Sequence, residues 1–180
     1  MTDYLLPTIA KVLLPVIGIG LMVLVVMKKK LSFSVDIGFR APAPGWAAAF
    51  FVFWLLLMAA EELLGQTAPK PWKEYPVVIV GLRILAIGVL GPIAEELAFR
   101  GLLMSALVRT RIGVFGAIFV TAALWSMVHT QYEPAILALL LIDGIVLGLA
   151  RHFTRSIYVP IAMHVTGNLF SIWQSLHGVA

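Results

Sequence analysis

Two adjacent carboxylates and an arginine stand in the run Ile93-Ala94-Glu95-Glu96-Leu97-Ala98-Phe99-Arg100-Gly101, with long apolar stretches on either side. In hydrocarbon a charged side chain is costly, so an ionisable residue deep in an apolar span is a functional candidate. On a helix Glu96 and Arg100 are i,i+4 neighbours in the favourable Glu-before-Arg order. Arg100 can therefore hold Glu96 as a neutralised pair. Glu95 is rotated about 100° from Glu96 on the helical wheel. It stays free, and a free carboxylate suits general-base work on water. The same three residues also fit a plain ion pair that pins a helix, with Glu95 facing a polar crevice.

Two further places carry chemistry. Trp125-Ser126-Met127-Val128-His129 ends an apolar span with an imidazole. In His164-Val165-Thr166-Gly167-Asn168 the four-residue spacing puts His164 and Asn168 on one helical face, where both can point at one cavity. Taken singly, each has a bland alternative: an interfacial histidine, and a pair that hydrogen-bonds between helices. Asp143 is expected to be structural, pairing with Arg83 or a histidine or lining a water pocket. Glu61 and Glu62 resemble a second diacid, but they lie near a helix end and lack a following arginine at the right spacing. Interfacial solvation is the expectation for both.

The elements that must position these groups are membrane spans. Of the 180 residues 61% are hydrophobic and 12% charged. A soluble domain carries about 25% charged residues for its water-facing surface. The apolar residues come in long blocks, which predicts an all-α, polytopic transmembrane helical bundle of about six crossings. The predicted spans are Leu5–Met27, Gly45–Leu64, a long segment from Pro76 to Val108, Gly113–His129, Pro134–Ala150 and Ser156–Trp173. A loop containing Pro, Trp and Lys, Gly65–Tyr75, precedes the third. That third segment exceeds one straight span, and Gly91-Pro92 interrupts it. Proline kinks a helix, so a break is expected between Leu90 and Ile93. The whole chain, 1–180, reads as a single membrane domain.

The net charge of +4 follows the positive-inside rule, and no nucleic-acid role is expected. Lys28–Arg40, Arg109, Arg111, Arg151 and Arg155 fall on the inner side. Lys70–Glu74, Glu133 and both termini fall on the outer side. Lys28, Lys29 and Lys30 follow the first apolar block, where a cleavable signal peptide carries its charge in front. The chain contains no cysteine, which excludes disulfides, zinc-thiolate sites and cysteine nucleophiles.

Depth links the candidates. At 1.5 Å per residue Glu95 lies roughly 21 Å from Arg109 and His129 roughly 24 Å from Gly113. His164 and Asn168 lie roughly 12 and 18 Å from Ser156. All four sit far from the basic end of their spans.

Together these residues resemble the CAAX-protease and bacteriocin-processing family of intramembrane enzymes, which includes the Rce1-type prenyl-protein endopeptidases. Glu95-Glu96-x-x-x-Arg100 matches its EExxxR element and His164-x-x-x-Asn168 its HxxxN element. Trp125-x-x-x-His129 stands for an aromatic-xxx-His element in which phenylalanine is commoner. Gly144, Gly148 and Thr154 add to the likeness, which covers the proposed catalytic core, about residues 91–170. The resemblance implies an intramembrane endopeptidase that cuts a CAAX-type tail, another hydrophobic peptide or a sorting signal. It implies that Glu95 and His129 activate a water and that His164 and Asn168 stabilise the oxyanion, with Glu96 and Arg100 completing the site. No cofactor is expected, although two histidines and a glutamate also match a zinc ligand set with one position open for water. The expected partners are a membrane-anchored peptide and the bilayer, in a multi-pass protein of the bacterial inner membrane. HExxH and GxSxG motifs are absent, which argues against the corresponding zinc and serine hydrolases. The alternatives are a non-catalytic immunity or regulatory protein and a small transporter.

Overall fold

The computed structural model describes residues 2–63, 72 and 75–177. Six helical rods carry the fold: α1 (Thr2–Lys28), α2 (Pro44–Leu63), α3 (Val77–Leu107), α4 (Gly113–Met127), α5 (Pro134–Thr154) and α6 (Tyr158–His177). No β-strand occurs among the described residues. Four rods are long and apolar enough to cross a membrane: α1 from Tyr4, α2, α3 and α5. Of the other two predicted crossings, α4 is apolar but has only 15 residues. α6 has 20 residues but is diluted by His164, Thr166, Asn168, Ser171, Gln174 and Ser175. The protein is an integral, multi-pass helical bundle.

The expected break at Gly91-Pro92 does not form. α3 runs unbroken for 31 residues and absorbs the proline by changing pitch. Two wide, π-type turns, Ile84–Leu90 and Leu97–Leu103, flank a regular turn at Gly91–Glu96. In each wide turn the closing N–H reaches back five residues, from Gly91 to Ala86 and from Met104 to Phe99. Such turns often mark functional stretches of a helix. Here they bracket the two glutamates, and the second contains Arg100.

The charges expected on the inner side meet at one end of the bundle. There a short π-turn, Phe33–Ile37, carries Asp36, which forms an ion pair with Arg109 at the end of α3. The following loop lies on the α5–α6 connection. Arg40 donates through Nε to the carbonyl of Arg155 (2.7 Å), and the Ile157 N–H donates to the carbonyl of Gly38 (2.9 Å). The opposite end gathers Tyr4, Tyr75 and Trp72. The rings of Tyr4 and Tyr75 meet edge-on at 5.1 Å, and the Trp72 N–H donates to the carbonyl of Ser175. Lys70, Lys73 and Glu74, expected at this end, lie outside the described residues, as does most of the loop 65–75.

Helices α4 and α5 pack closely because glycine faces small or branched residues. A Cβ on Gly144 would stand 2.9 Å from the Ala122 Cβ, and one on Gly148 would stand 2.9 Å from Ile118 Cγ2. Small residues allow such approach in membranes, where dispersion rather than water exclusion holds helices together.

Candidate active site

The site grows from α3. Glu96 and Arg100 are both fully buried, and Arg100 Nη1 donates to Glu96 Oε1 at 2.7 Å. A buried ion pair needs further hydrogen bonds to offset its desolvation. Arg100 Nη2 therefore donates to the carbonyl of Gly144 on α5 at 2.9 Å. Glu96 Oε1 also meets His164 Nδ1 of α6 at 2.9 Å. An ionised carboxylate only accepts, so Nδ1 is the donor there. The imidazole's other nitrogen, Nε2, is left facing Glu95, with Oε2 3.8 Å away. That gap is too long for a direct hydrogen bond and within reach of one bridging water.

Glu95 is the accessible member of the pair, with a third (33%) of its side chain exposed. It lines a groove of about 330 Å3 between α1 and α3, walled by Gly18, Leu21, Met22, Ala94, Ala98 and Phe99. Among the described residues, Glu95 is the only ionisable group in that lining. A larger, apolar cavity of about 410 Å3 lies nearer the basic end and shares Met22 with the groove.

Trp125 of α4 ties the parts together. Its indole Nε1 donates to Glu95 Oε2 at 2.6 Å. Its ring lies edge-on to both imidazoles, with centroids 5.0 Å from His129 and 5.2 Å from His164, and the Arg100 guanidinium stands 5.1 Å from its centre. His129 itself makes no hydrogen bond or ion pair with Glu95. It approaches the site through Trp125, its Nδ1 lying 2.8 Å from the Trp125 carbonyl. The sequence marks Trp125 as a motif aromatic, but not as a hydrogen-bond donor to Glu95. The signal was the residue type, since tryptophan carries an N–H that phenylalanine lacks.

Asn168 joins the site from α6 while serving the backbone of α3. In the wide turn Ile84–Leu90, the N–H of residue 92 would be the partner of the Ile87 carbonyl, and Pro92 has none. Asn168 Nδ2 fills that place at 2.8 Å. A side-chain amide has two N–H donors, so one remains.

The other candidates lie outside this hydrogen-bonded network, although Asp143 is close enough to Glu61 and Arg100 to feel both charges. Asp143 does not pair with Arg83 or with a histidine, and its Oδ1 is buried without a hydrogen-bond partner. Arg83 instead stacks on Tyr75 and Trp72, 4.4 and 4.9 Å from their ring centres. Interfacial solvation does not describe Glu61 and Glu62 either. Glu62 accepts from Gln174 on α6, and one Glu61 oxygen is buried without a partner. Helix α2 carries both, and the Glu62–Gln174 bond ties this end of it to α6. Among the described residues, no three His, Asp or Glu side chains are grouped to hold a metal ion. Glu95, His129 and His164 therefore do not form the zinc ligand set in this arrangement.

Residues 77–170 match the model of the family described as type II CAAX prenyl endopeptidase, Rce1-like. The chain belongs to that family. The match covers more than half of the 180 residues and starts upstream of Gly91, taking in the first wide turn of α3. Neither the curated proteins nor the solved structures yield a match. At the level of the Rce1-like family, the protein is a CAAX-type intramembrane endopeptidase, a hydrolase of membrane-associated peptides.

Proposed function

We propose that this protein hydrolyses a peptide bond of a membrane-associated substrate through a water activated by Glu95 and His129. The substrate would be a CAAX-type tail, another hydrophobic peptide or a sorting signal. The observation that carries this reading is the position of Glu95. It is an accessible carboxylate at the wall of an apolar groove, with one oxygen 3.8 Å from an imidazole anchored on a buried ion pair.

In this mechanism a water between Glu95 and the imidazoles gives its proton to Glu95, and its oxygen adds to the substrate carbonyl carbon. The tetrahedral oxyanion accepts hydrogen bonds from the remaining Asn168 N–H and from His164, when Nε2 carries a proton. Glu95 then returns its proton to the departing amine as the C–N bond breaks. Glu96 and Arg100 fix the imidazole of His164 from behind, and His129 works from beside Trp125. The catalytic core is the span 91–170 within one membrane domain, in a bacterial inner membrane.

The test is cleavage of a panel of membrane-anchored peptides by purified protein in liposomes, with and without a chelator. Glu95→Ala and His129→Ala are run in parallel. Cleavage that both variants abolish and that survives chelation supports the reading. Full activity in either variant overturns the mechanism, and loss on chelation alone assigns the water's activation to a metal. A folded protein that cuts no peptide in a broad panel favours a non-catalytic role, in which Asn168 serves only the Ile87 carbonyl.

A further inference from the structure

At the end of the bundle where the basic loops meet, Arg151 is a buried cation without a counter-charge among the described residues. It is 8% exposed. Its Nη2 makes one long bond, 3.3 Å to the carbonyl of Asp36, and its Nε has no acceptor. The Asp36 carboxylate is already engaged, one oxygen with Arg109 and the other with the backbone N–H of Ser32. Among the described residues, none of Arg40, Arg151 and Arg155 joins an ion pair. The neighbouring charge that Arg151 feels is another cation, Arg40. Arg40 spends only its Nε, on the Arg155 carbonyl.

The backbone is shaped around this guanidinium. Gly38 takes a φ of +93°, and a Cβ there would lie 2.6 Å from the Arg151 Cζ. A buried charge is costly unless it is paired. The carbonyl end of its own helix offers Arg151 a fraction of a charge at most. Room has been made for a cation, and its anion is not found among the described residues.

We propose that Arg151 and Arg40 form a binding site for a phosphate-type anion, filled in the membrane by the headgroup of an anionic lipid. Two planar guanidinium forks match the oxygens of a phosphate better than ammonium groups do. The basic end of a span is also where anionic headgroups gather. The site is separate from Glu95 and does not depend on the protease reading.

The experiment measures thermal unfolding of the full chain in nanodiscs of phosphatidylcholine, with and without phosphatidylglycerol. A second arm compares inorganic phosphate with chloride at equal ionic strength in detergent. A ligand that binds only the folded state raises Tm, so phosphatidylglycerol raises Tm by several degrees. Arg151→Gln and Arg40→Gln lose the rise. Arg111→Gln, which alters an exposed arginine of the same end, keeps it. If Arg151→Gln does not fold, Arg40→Gln and Arg151→Lys carry the test, the lysine keeping the charge and losing the fork. An Arg151-dependent rise with phosphate in detergent, without one from the lipid, supports the anion site and assigns it to a soluble phosphate. An equal loss in Arg111→Gln, or no rise with either anion, overturns the proposal.

Discussion

The indole N–H of Trp125 donates to Oε2 of Glu95 across 2.6 Å, joining α4 to the accessible carboxylate of α3. The bond fixes the oxygen that faces His164 and leaves the rest of the carboxylate at the groove. Trp125→Phe keeps an aromatic ring against both histidines, removes the donor and gives up one ring of buried volume. A hydrogen bond to a charged group contributes about 1.5–3 kcal/mol. The substitution should lower kcat roughly tenfold or more with KM nearly unchanged. An unchanged kcat would show that the bond does not orient Glu95.

Arg100→Ala should be among the most damaging substitutions to the fold. It strands Glu96 as a buried charge and removes the donor to the Gly144 carbonyl. Breaking a buried pair from one side costs about 3–5 kcal/mol. The variant should lose its cooperative melt in detergent or unfold far below the native Tm. Glu96→Gln keeps the shape and should destabilise less.

Asn168 and Pro92 form a pair that separates architecture from chemistry. Asn168→Ala leaves the Ile87 carbonyl without a partner, at a cost of about 1–3 kcal/mol. Pro92→Ala restores a backbone N–H at the position from which a wide turn can reach that carbonyl. The double variant should recover part of the lost Tm, a coupling that a double-mutant cycle reads directly. Cleavage should stay low in the double variant if the second N–H of Asn168 serves the oxyanion. Recovery of cleavage together with Tm would make Asn168 purely structural.

Gly144→Ala should destabilise by about 1–3 kcal/mol through overpacking, since its Cβ would meet Ala122 Cβ at 2.9 Å and Arg100 Nη2 at 3.3 Å. Ala122→Gly should restore only part of the Tm, because the Ala122 Cα, 3.0 Å from the added Cβ, stays in place. No rescue at all in the double variant would place the strain on that backbone contact and on Arg100.

The sequence made the bundle legible because apolar blocks and flanking cations obey the chemistry of the bilayer rather than local propensity. It also made Glu96–Arg100 legible, since helical spacing alone joins them. The bonds between helices were less accessible. Nothing in the spacing of Glu95 and Trp125 says that one donates to the other, because 30 residues and a helix boundary separate them. The break at Gly91-Pro92 was misread for a related reason. Local rules see a missing N–H, and the donor that replaces it comes from a residue 81 positions away. Asp143 pairs with neither Arg83 nor a histidine, and one oxygen of Glu61 is buried, because both depend on how helices meet rather than on local sequence.

The two wide turns of α3 have a consequence for how this chain can vary. A wide turn holds one residue more than the α-helical turn it replaces, so it behaves as an insertion written into the helix. Deleting one residue between 84 and 90 would let the wide turn close into an ordinary α-helical one, and Glu95, Glu96 and Arg100 would keep facing Trp125, His164 and Gly144. The regular turn Gly91–Glu96 has no such residue to give up. A deletion there would rotate Arg100 and everything beyond it by about 100° relative to Val77–Arg83, the stretch of α3 that also packs on α1. Among natural variants of this chain, α3 should lose a residue within its wide turns more readily than between them.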